Sequence, residues 1–436
     1  MSDTTPTPHT CDTLVVGAGP AGSACALWLA RQGQRVLLVD QHSFPRDKVC
    51  GDGLIPDAHR ALDRLGLLGE VMARARMAQH LACIGPRGGR VEVPGRLAVL
   101  PRRELDDILK RGAERAGARF MAPARFEAPL LDGERVAGAR LHTPEGAVEV
   151  RARWVVLATG AVPQALIAAD LCQRRTPSGV ALRGYMRHPG LADRLKTLEV
   201  VWHKRLRKGY GWVFPCPDGL FNIGVGLAHS HARTRRDGRA SMAEVNLREL
   251  FQTFCEIHPP ARELLAHGEW VQPLESVKGR SRSDSPPRGA DDALRRPGGA
   301  LKGAPLRCSL EGAHLSRPGM LVTGEAAGST YAFTGEGIGK AIETGLLAAE
   351  ALLGGAEDAA VANRYAEDIA ALKPRFDLYE RANQVNDHPW LADLVIWRAR
   401  RDARILRRMA GVLEETGNPG NLVSLRGLFK LFVPAR

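Results

Sequence analysis

The sequence contains no paired cysteines of the kind that build a zinc or iron–sulfur centre. Its eight cysteines are scattered, and no two of them stand two residues apart. Metal sites in proteins normally use ligands at such close spacing, so we expect no metal centre. No feature indicates secretion, and we therefore expect reduced thiols in a cytoplasmic protein.

Long apolar runs are also missing. No stretch reaches the roughly 18 uninterrupted apolar residues that a membrane-spanning helix needs. Residues 1–10 are polar and do not have the charged-then-apolar layout of a signal peptide. Any contact with a membrane is therefore expected to be peripheral, at its inner face.

Nucleic-acid motifs are absent although the chain is basic, with 61 Lys+Arg against 48 Asp+Glu and a formal net charge of +13. We find no zinc-finger spacing, no RNP-type aromatic motif and no homeodomain-like helix trio, so a nucleic-acid partner is not expected. The positive charge instead favours another anionic partner: a dinucleotide, a diphosphate or an anionic lipid surface.

The N-terminal region carries a glycine-rich motif in a defined context. A short apolar strand at 13–16 runs into Gly-Ala-Gly-Pro-Ala-Gly at 17–22, and a helix follows to about residue 32. A second apolar strand at 35–39 ends in Asp40. This order of strand, glycine turn, helix, strand and acid predicts a dinucleotide-binding Rossmann unit.

Each part of this motif has a physical role. Gly17 permits the tight turn, Gly19 lets a pyrophosphate approach the backbone, and Gly22 allows close packing of helix and strand. The helix N-terminus offers free N–H groups and a partial positive charge to the phosphates. Asp40 is placed to bond the adenosine ribose hydroxyls.

Three later segments bear on which dinucleotide is bound. The first is a loop at 44–54, Phe-Pro-Arg-Asp-Lys-Val-Cys-Gly-Asp-Gly-Leu, and the second begins at Arg102 and opens a helix to about residue 116. The third contains Gly-Glu-Ala-Ala-Gly at 324–328 and Phe-Thr-Gly-Glu-Gly-Ile-Gly at 333–339. It lies between a strand at 320–323 and a helix at 340–353, so a second helix N-terminus can face an anionic or electron-rich ligand.

These segments, together with GYGWVFP at 209–215 and NIGVG at 222–226, resemble the geranylgeranyl reductase family of FAD-dependent oxidoreductases, which shares the p-hydroxybenzoate hydroxylase fold. The resemblance spans residues 10–350. It implies that the segment around Glu325 holds the FAD ribityl and pyrophosphate, that Gly335 and Gly337 border the isoalloxazine ring, that Arg102 contacts the flavin, and that the Cys50 loop covers the ring near N5.

The glycine motif and the resemblance together predict a set of cofactor-binding residues. They are Gly17, Gly19, Pro20, Ala21, Gly22, Asp40, Arg46, Lys48, Cys50, Gly51, Arg102, Gly324, Glu325, Gly335, Gly337 and Ile338. The FAD is expected to be noncovalent, because no histidine or cysteine context demands a covalent flavin bond.

Two features depart from the family pattern. Glu325 stands where many relatives have aspartate, so its hydrogen bond is repositioned by one methylene. The strand at 154–157 ends in Ala-Thr-Gly-Ala rather than the Asp-Gly usual in hydroxylases, which argues against their style of NADPH docking. Because we find no second complete nucleotide motif, NAD(P)H must dock without its own Rossmann domain, or a separate protein must donate the electrons.

The predicted fold is α/β, with interleaved domains. Residues 10–80, 100–162 and 310–355 are predicted to form a discontinuous FAD-binding domain, and 163–275 a mainly antiparallel β substrate domain over the flavin. Residues 276–309 are polar and rich in Pro and Gly, which is typical of a flexible insertion. Residues 356–436 are predicted to be a basic helical region. The oligomeric state is left open.

Several side chains have two interpretations. Cys50 is either a small buried hydrophobe or, because nearby cations favour a thiolate, an active-site group that exchanges a proton or tunes the flavin. Arg46 and Lys48 are either solvated or paired with an anion. Tyr210, Trp212 and Phe214 either pack the core of the sheet or line the substrate cavity.

The predicted activity is reduction of a carbon–carbon double bond in an isoprenoid or similar apolar substrate, with hydride from reduced flavin N5 and a proton from an unassigned donor. A flavin-dependent monooxygenase or halogenase of the same fold is the alternative, and a lipid-binding flavoprotein with little turnover is a third possibility.

The C-terminal region is a candidate membrane contact. It carries six arginines between residues 398 and 408 beside apolar residues at helical spacing, namely Ile396, Ala399, Ala403, Leu406, Ala410 and Leu413. An apolar tail follows, with Leu428, Phe429, Leu431 and Phe432. Such a region can lie on an anionic bilayer. The alternative is that the apolar face packs on the FAD domain and the arginines are solvated.

Overall fold

The fold is taken from a computed structural model of the chain. It describes residues 9–206, 208–228, 233–234, 240–241, 246–271, 300–355 and 357–420. The apolar tail predicted at 425–433 and most of the insertion predicted at 276–309 lie outside these residues.

The strands of the described residues form two large sheets and one small hairpin. In chain order they are β1 His9–Val16, β2 Val36–Val39, β3 Gly53–Leu54, β4 Arg76–Ile84, β5 Arg90–Val99, β6 Arg119–Met121, β7 Arg125–Asp132, β8 Arg135–Thr143, β9 Gly146–Leu157, β10 Gly179–Arg187, β11 Leu198–Val201, β12 Gly209–Pro215, β13 Leu220–Ala228, β14 Arg233–Thr234, β15 Ala240–Ser241, β16 Glu269–Val271, β17 Lys302–Leu306, β18 Ser316–Arg317 and β19 Met320–Val322.

The helices cover both sheets and make up most of the C-terminal region. In chain order they are α1 Pro20–Arg31, α2 Pro56–Arg64, α3 Leu68–Met72, α4 Arg102–Arg115, α5 Gln164–Ala168, α6 Pro189–Arg194, α7 Leu247–Ile257, α8 Pro259–His267, α9 Ile338–Gly354, α10 Asp358–Ala382, α11 Gln384–Asp387, α12 Trp390–Ala399 and α13 Ala403–Leu413.

The first sheet is a Rossmann-type layer. Its parallel strands run in the order β6, β2, β1, β9 and β19, and the antiparallel β8 and β7 continue from β9 while β18 pairs with β19. β1 is apolar on both faces, because α1, α4 and α9 cover one side and the β7–β8 region covers the other. Fully buried strands of this kind are typical of parallel sheets.

The second sheet is largely antiparallel and runs in the order β16, β10, β13, β12, β11, β4, β5 and β3, with β17 also paired to β10. Its one parallel pair in the described residues joins β11 to β4. One face of the sheet packs on α7 and α8, and the other faces the first sheet and the C-terminal helices. The predicted fold class, an α/β FAD domain with an antiparallel substrate layer and C-terminal helices, is confirmed.

The structure places some segments differently from the predicted boundaries. β3 and the start of β4 fall inside the predicted FAD segment 10–80, yet both belong to the second sheet. α5 falls inside the predicted substrate segment, but Leu166 is buried in the core of the first sheet. These pairings join strands far apart in sequence, so local periodicity does not reveal them.

The predicted insertion at 276–309 also differs where it is described. Residues 302–306 form β17, which pairs antiparallel with β10. Arg307 and Cys308, which follow directly, are buried. The polar composition of the segment hid this strand, because its stability comes from pairing with β10 rather than from an apolar pattern of its own.

The C-terminal helices pack against the second sheet. Ile396, Ala399 and Leu413 are buried together with Val91, Val93 and Val200 of β5 and β11. Most of the apolar face predicted as a membrane contact is therefore covered by the substrate layer rather than by the FAD domain, although Ala403 is exposed. None of the described helices is long and apolar enough to cross a membrane.

Candidate functional site

The glycine turn after β1 has the tight geometry that the sequence predicted. Gly17 has φ +105°, and a Cβ there would collide with the carbonyl oxygen of Ala158. A Cβ on Gly22 would collide with the carbonyl oxygen of Gly17. Both positions therefore require glycine for close packing of α1 on the sheet, and Ala21 is buried in the same contact.

Gly19 is different, because its Cβ position is open. Among the described residues, a Cβ there would meet only the guanidinium groups of Arg46 and Arg102, at the ordinary contact distances of 3.6 and 3.9 Å. Gly19 is also the N-cap of α1, with Pro20 at the first helical position and no capping side chain. An open backbone, a free helix N-terminus and two guanidinium groups fit a pyrophosphate. The site therefore fits the FAD that the sequence implies.

Asp40 follows β2 directly and secures this turn. Its Oδ2 accepts a hydrogen bond of 2.9 Å from the Ala18 N–H, and its Oδ1 accepts one of 2.9 Å from the His42 N–H. Burial raises the pKa of Asp40, but the His42 bonds and the charge of Arg46 outweigh it and hold the pKa below its usual range. The carboxylate stays ionised, as a partner for ribose hydroxyls requires.

The two guanidinium groups beside Gly19 are held by a carboxylate that the sequence reasoning did not single out. Asp106, fully buried on α4, accepts bonds of 2.7 and 2.8 Å from Arg102 and one of 2.9 Å from Arg46. The four-residue spacing from Arg102 places both side chains on one helix face. That spacing was the available signal for Asp106.

The Cys50 loop lies over the same cavity and is anchored on the second sheet. Asn222 of β13 donates bonds of 2.7 Å to the Cys50 carbonyl and to Asp52. Tyr185 of β10 donates to Asp52 as well, and burial raises the pKa of Asp52 to about 6. The fully buried Arg183 donates to Asp47 and to the Lys48 carbonyl. Sequence reasoning missed these anchors, because they lie far from the loop in the chain.

The sequence leaves Cys50 open as a thiol or a thiolate. Burial raises the pKa of the Cys50 thiol, and this outweighs the opposing charge of Arg102. The thiol is therefore protonated at neutral pH. Lys48 is not free either, because its Nζ lies 3.9 Å from Oε2 of Glu325.

The second glycine segment closes the site from the other side. Gly324 follows β19 with φ +66°, and a Cβ there would lie 2.5 Å from the Cβ of Ala21. Gly335 has φ +70°, and a Cβ there would lie 2.6 Å from the Tyr210 hydroxyl oxygen. A Cβ on Gly337 would lie 2.6 Å from the Thr330 hydroxyl oxygen. These approaches bring the start of α9 next to the start of α1 and to β12.

The three predicted aromatic residues share one face of β12, because they alternate along the strand. Tyr210, Trp212 and Phe214 have ring centroids 6.2 and 6.5 Å apart and all line the cavity. The Tyr210 hydroxyl donates a bond of 2.8 Å to the Thr334 carbonyl, and the Trp212 indole donates to Asn222. Both roles considered from the sequence therefore apply, since the three side chains pack against the sheet and also border the cavity.

One cavity of about 280 Å³ connects these groups. Of the predicted cofactor residues it is lined by Pro20, Lys48, Cys50, Gly51, Arg102, Glu325, Gly335, Gly337 and Ile338. Gly17, Ala21, Gly22 and Gly324 pack beneath it, and Gly19, Asp40 and Arg46 stand at its glycine-turn end. The structure thus brings all of the predicted residues to one region.

Away from the glycine turns the cavity becomes apolar. Its far walls come from β4, β5 and β11 and from the C-terminal helices, through Leu81, Val93, Leu97, Leu198, Val200, Ala382, Val385, Ala392, Val395, Ile396, Met409, Val412 and Leu413. Sequence reasoning assigned none of these residues to the site. Their apolar spacing was visible, but what they face was not.

Comparisons with known proteins agree with this geometry. The model of the FAD binding domain family matches residues 10–180. The chain is 33% identical over 366 residues to the menaquinone reductase of Mycolicibacterium smegmatis, covering 79% of this chain and 76% of the relative. It is 25% identical over 401 residues to the digeranylgeranylglycerophospholipid reductase of Thermoplasma volcanium, covering 88% and 87%.

Solved structures share the fold. A geranylgeranyl bacteriochlorophyll reductase-like protein from Thermoplasma acidophilum superposes with a TM-score of 0.68 at 21% identity, over 98% of this chain and 96% of that one. The myxobacterial chondrochloren halogenase, an FAD-dependent enzyme, superposes with a TM-score of 0.62 at 22% identity, over 98% and 99%. At these identities the likeness bears on the fold alone.

Proposed function

Because the chain belongs to the geranylgeranyl reductase family of FAD-dependent oxidoreductases, we propose that it reduces a carbon–carbon double bond in a polyprenyl chain. The names of its relatives point to two substrates, menaquinone and a digeranylgeranyl lipid. The two compounds share a polyprenyl chain and differ in their polar heads. We therefore assign the reaction to the polyprenyl chain, which both compounds contain.

The observation that carries the proposal is the apolar end of the cavity. It starts at Cys50 and Gly335, where we expect the flavin ring, and continues between β11 and α12. Valine, leucine, isoleucine and alanine dominate its walls, so it offers a long hydrocarbon an environment without competing water. A polar acceptor would be poorly matched to such walls.

Bound FAD supplies the hydride chemistry, and the chain positions and insulates it. We assign its pyrophosphate to Gly19, Arg46 and Arg102, and its ring to the space between the Cys50 loop and Gly335. Trp212 and Phe214 form the sheet-side wall of that space. The apolar walls would keep water away from the reacting carbons once a hydrocarbon chain fills the cavity.

An anaerobic assay tests the proposal. Holoenzyme reduced with dithionite is incubated with detergent-dispersed menaquinone that carries an unsaturated polyprenyl chain, and separately with a digeranylgeranylglycerophospholipid. Mass spectrometry should show a gain of two hydrogens in both products. Exposure to air separates the two possible acceptors, because a quinol returns to the quinone whereas a saturated carbon–carbon bond persists. A gain of hydrogens that air reverses, with no change in the lipid, would refute alkene reduction.

The halogenase of the same fold supports one alternative, oxygen-dependent monooxygenase or halogenase chemistry. The same assay with oxygen and chloride or bromide added distinguishes it. A product that requires oxygen and contains oxygen or halogen would support the alternative. Products formed without oxygen support the reductase.

We further propose that electrons arrive from NAD(P)H docking at the surface or from a separate donor protein. Among the described residues, a single glycine turn is followed by the helix, strand and acid of a dinucleotide site, and we assign that turn to FAD. Anaerobic addition of NADPH or NADH to the oxidised holoenzyme should bleach the flavin absorbance if either is the direct donor. If the flavin absorbance is bleached only by a reduced protein partner, electrons come from a separate donor protein.

A further inference from the structure

Reduction of an alkene needs a proton as well as a hydride, and the cavity contains few groups that can supply one. The ionisable side chains that line it are Lys48, Cys50, Asp52, Cys83, Arg102, Tyr210, Glu325 and Glu336. Most of them are engaged: Lys48 with Glu325, Arg102 with Asp106, Asp52 with Tyr185 and Asn222, and Tyr210 with the Thr334 carbonyl. Glu336 differs from these.

Glu336 stands between Gly335 and Gly337, immediately before α9, and lines the cavity beside Tyr210. Its Oε2 is buried and has no hydrogen-bond partner. A buried, unpaired carboxylate oxygen is costly, and a carboxyl in such a place takes up a proton instead. The neighbouring glycines hold its backbone without filling the space around it.

The groups around Glu336 favour the protonated form. Burial raises its pKa well above the usual range, and the negative charges of Asp57 and Glu415 add to this, while a hydrogen bond with Thr334 and the charge of Lys340 oppose it. The titratable groups that act on it come from every element packed around it: Asp57 from α2, Lys340 from α9, Tyr379 from α10, Tyr210 from β12 and Glu415 from the turn after α13.

Asp57 continues the path away from the cavity. It lies in the first turn of α2, and its carboxyl is so close to the backbone of Gly339 that a Cβ there would collide with it. Its Oδ2 is also buried without a partner, and burial raises its pKa to about 7. A carboxyl with a pKa near neutrality exchanges its proton readily in either direction.

An ion pair between Lys340 and Glu415 lies beyond Asp57. Lys340 Nζ lies 2.9 Å from Oε1 of Glu415, and both side chains are almost fully buried. Glu415 Oε2 lies 3.1 Å from Arg60 and 3.1 Å from Arg375, whose side chains are about half exposed. Ionisable groups thus extend from the cavity wall to the surface.

We propose that Glu336 is the proton donor for alkene reduction and that Asp57 returns the proton to it. The inference rests on the proposed function. The π electrons of the alkene take the Glu336 proton at one carbon, and the other carbon accepts hydride from reduced FAD. FAD is left oxidised, and Glu336 is left as a carboxylate that recovers its proton through Asp57.

Glu336 is a better donor than the other protonated groups of the cavity. A carboxylic acid starts from a pKa near 4.3 and a thiol from one near 8.5. Burial raises the pKa of both groups, and the Glu336 carboxyl, whose Oε2 has no hydrogen-bond partner, holds its proton at neutral pH. The Cys50 thiol instead interacts with Arg102, and the Tyr210 proton is engaged with a carbonyl.

Single-turnover kinetics test the donor. Reduced holoenzyme is mixed anaerobically with unsaturated menaquinone, and flavin oxidation is followed as a function of pH. Wild-type protein should lose rate as the pH rises, because the acid form is consumed, and Glu336→Gln should be at least about 100-fold slower and lack this dependence. Glu350→Gln, an isosteric change on the same helix at a side chain that pairs with Arg64, should behave as wild type.

Two further readouts do not depend on activity of that variant. The infrared spectrum of oxidised wild-type holoprotein at neutral pH should contain protonated-carboxyl bands that shift in D2O; the Glu336 band should be missing from Glu336→Gln and retained in Asp57→Asn. Asp57→Asn should leave the first turnover near the wild-type rate and slow the steady state, because only the return of the proton is impaired. If Glu336→Gln loses FAD, the wild-type and Asp57→Asn measurements still decide the question.

The outcomes separate the two proposals. Wild-type protein that reduces no polyprenyl compound refutes the proposed function, while the infrared band still reports on Glu336. Wild-type protein that reduces the alkene, with Glu336→Gln within about threefold of its rate, refutes Glu336 as donor and leaves the function standing. Unchanged steady-state turnover in Asp57→Asn refutes the return path.

Discussion

The phenol of Tyr331 donates a hydrogen bond of 2.6 Å to Oε1 of Glu415, 84 residues later in the chain. Glu415 adopts φ +57°, a conformation that non-glycine residues avoid. The same carboxylate contacts Lys340, Arg60 and Arg375. It therefore ties the end of α13, a wall of the apolar cavity, to α2, α9 and α10 of the flavin layer.

Replacing this carboxylate should destabilise the protein. Glu415→Gln leaves the buried Lys340 with only Glu343, so we expect a loss of about 3 kcal/mol in the free energy of unfolding, typical of breaking a buried pair. Tyr331→Phe, which removes one bond, should cost about 1 kcal/mol. Denaturant titration of the holoprotein measures both. Glu414→Gln, at the exposed neighbouring position, is the control, and a Glu415→Gln protein as stable as that control contradicts the assignment.

Gly19 and Gly22 should respond differently to substitution. Gly19→Val meets only ordinary contacts in the protein, so the chain should fold with wild-type circular dichroism, but the side chain should block the pyrophosphate and leave the protein colourless. Gly22→Ala should instead lose folded protein, because its Cβ collides with the Gly17 carbonyl. Full flavin occupancy in folded Gly19→Val would remove the cofactor assignment.

Cys50→Ala should keep FAD bound and alter its reactivity. The thiol lies in the cavity wall and interacts with Arg102, so its loss should slow reduction of the substrate or shift the flavin reduction potential. Stopped-flow kinetics and potentiometric titration measure these quantities. Cys83→Ala, at a cavity-lining cysteine among the distal apolar residues, should leave the potential unchanged. If the two variants behave alike, Cys50 only packs the loop.

The outer face of α12 is a membrane-docking candidate. Trp390 and Trp397 are seven residues apart, on one face of the helix, and are 57% and 43% exposed. Nearby exposed arginines are Arg400, Arg401, Arg404, Arg407 and Arg408. Interfacial tryptophans and arginines suit an anionic bilayer, and the inner face of the same helix lines the apolar cavity.

Liposome co-sedimentation checks this docking face. Wild-type protein should pellet with anionic vesicles at low salt and less at high salt, and the double variant Trp390→Ser, Trp397→Ser should pellet several-fold less. Ile167→Ser changes an exposed apolar residue elsewhere and should have no effect. Equal, negligible pelleting of wild-type protein with anionic and neutral vesicles would rule out the surface.

His59 should make the protein sensitive to acid. Burial on α2, with a contribution from the charge of Arg96, lowers its pKa from 6.5 to about 4. Between these values the unfolded chain binds a proton that the folded protein does not, so stability present above about pH 6.5 is lost as the pH falls toward 4. The loss should be on the order of 2–3 kcal/mol.

Urea titrations at pH 7 and pH 5 measure this contribution. His59→Gln should reduce the difference in unfolding free energy between the two pH values, whereas His267→Gln, at an exposed position, should not. Identical pH dependence in wild type and His59→Gln would contradict the buried neutral imidazole.

Local sequence was enough to predict the parts of the site that are contiguous in the chain. The turn from Gly17 to Gly22 with Asp40, and the segment from Gly324 to Ile338, were recognisable because each glycine and each acid acts within its own strand–turn–helix unit. The alternation of Tyr210, Trp212 and Phe214 likewise placed them on one face. In each case the backbone geometry within a short stretch dictates the residue type.

Contacts between distant segments could not be obtained in this way. Arg60 and Glu415 are in contact although 355 residues separate them in the chain. β4 likewise pairs with β11, although the FAD segment 100–162 lies between the two strands in the sequence. Nothing in either local sequence specifies the partner. Such contacts depend on how whole layers pack.

The sequence by itself determined that this protein has a Rossmann-type dinucleotide-binding unit, because the residues that make the glycine turn and its flanking strands are neighbours in the chain, and the resemblance to a known family implied FAD. Only the tertiary structure decided the chemistry of the cavity. It covered α12 and α13 with the second sheet to make an apolar wall, kept Cys50 a thiol, and left Oε2 of Glu336 buried without a hydrogen-bond partner. The physical reason is that a pKa and a solvent-free wall depend on what surrounds a group in space.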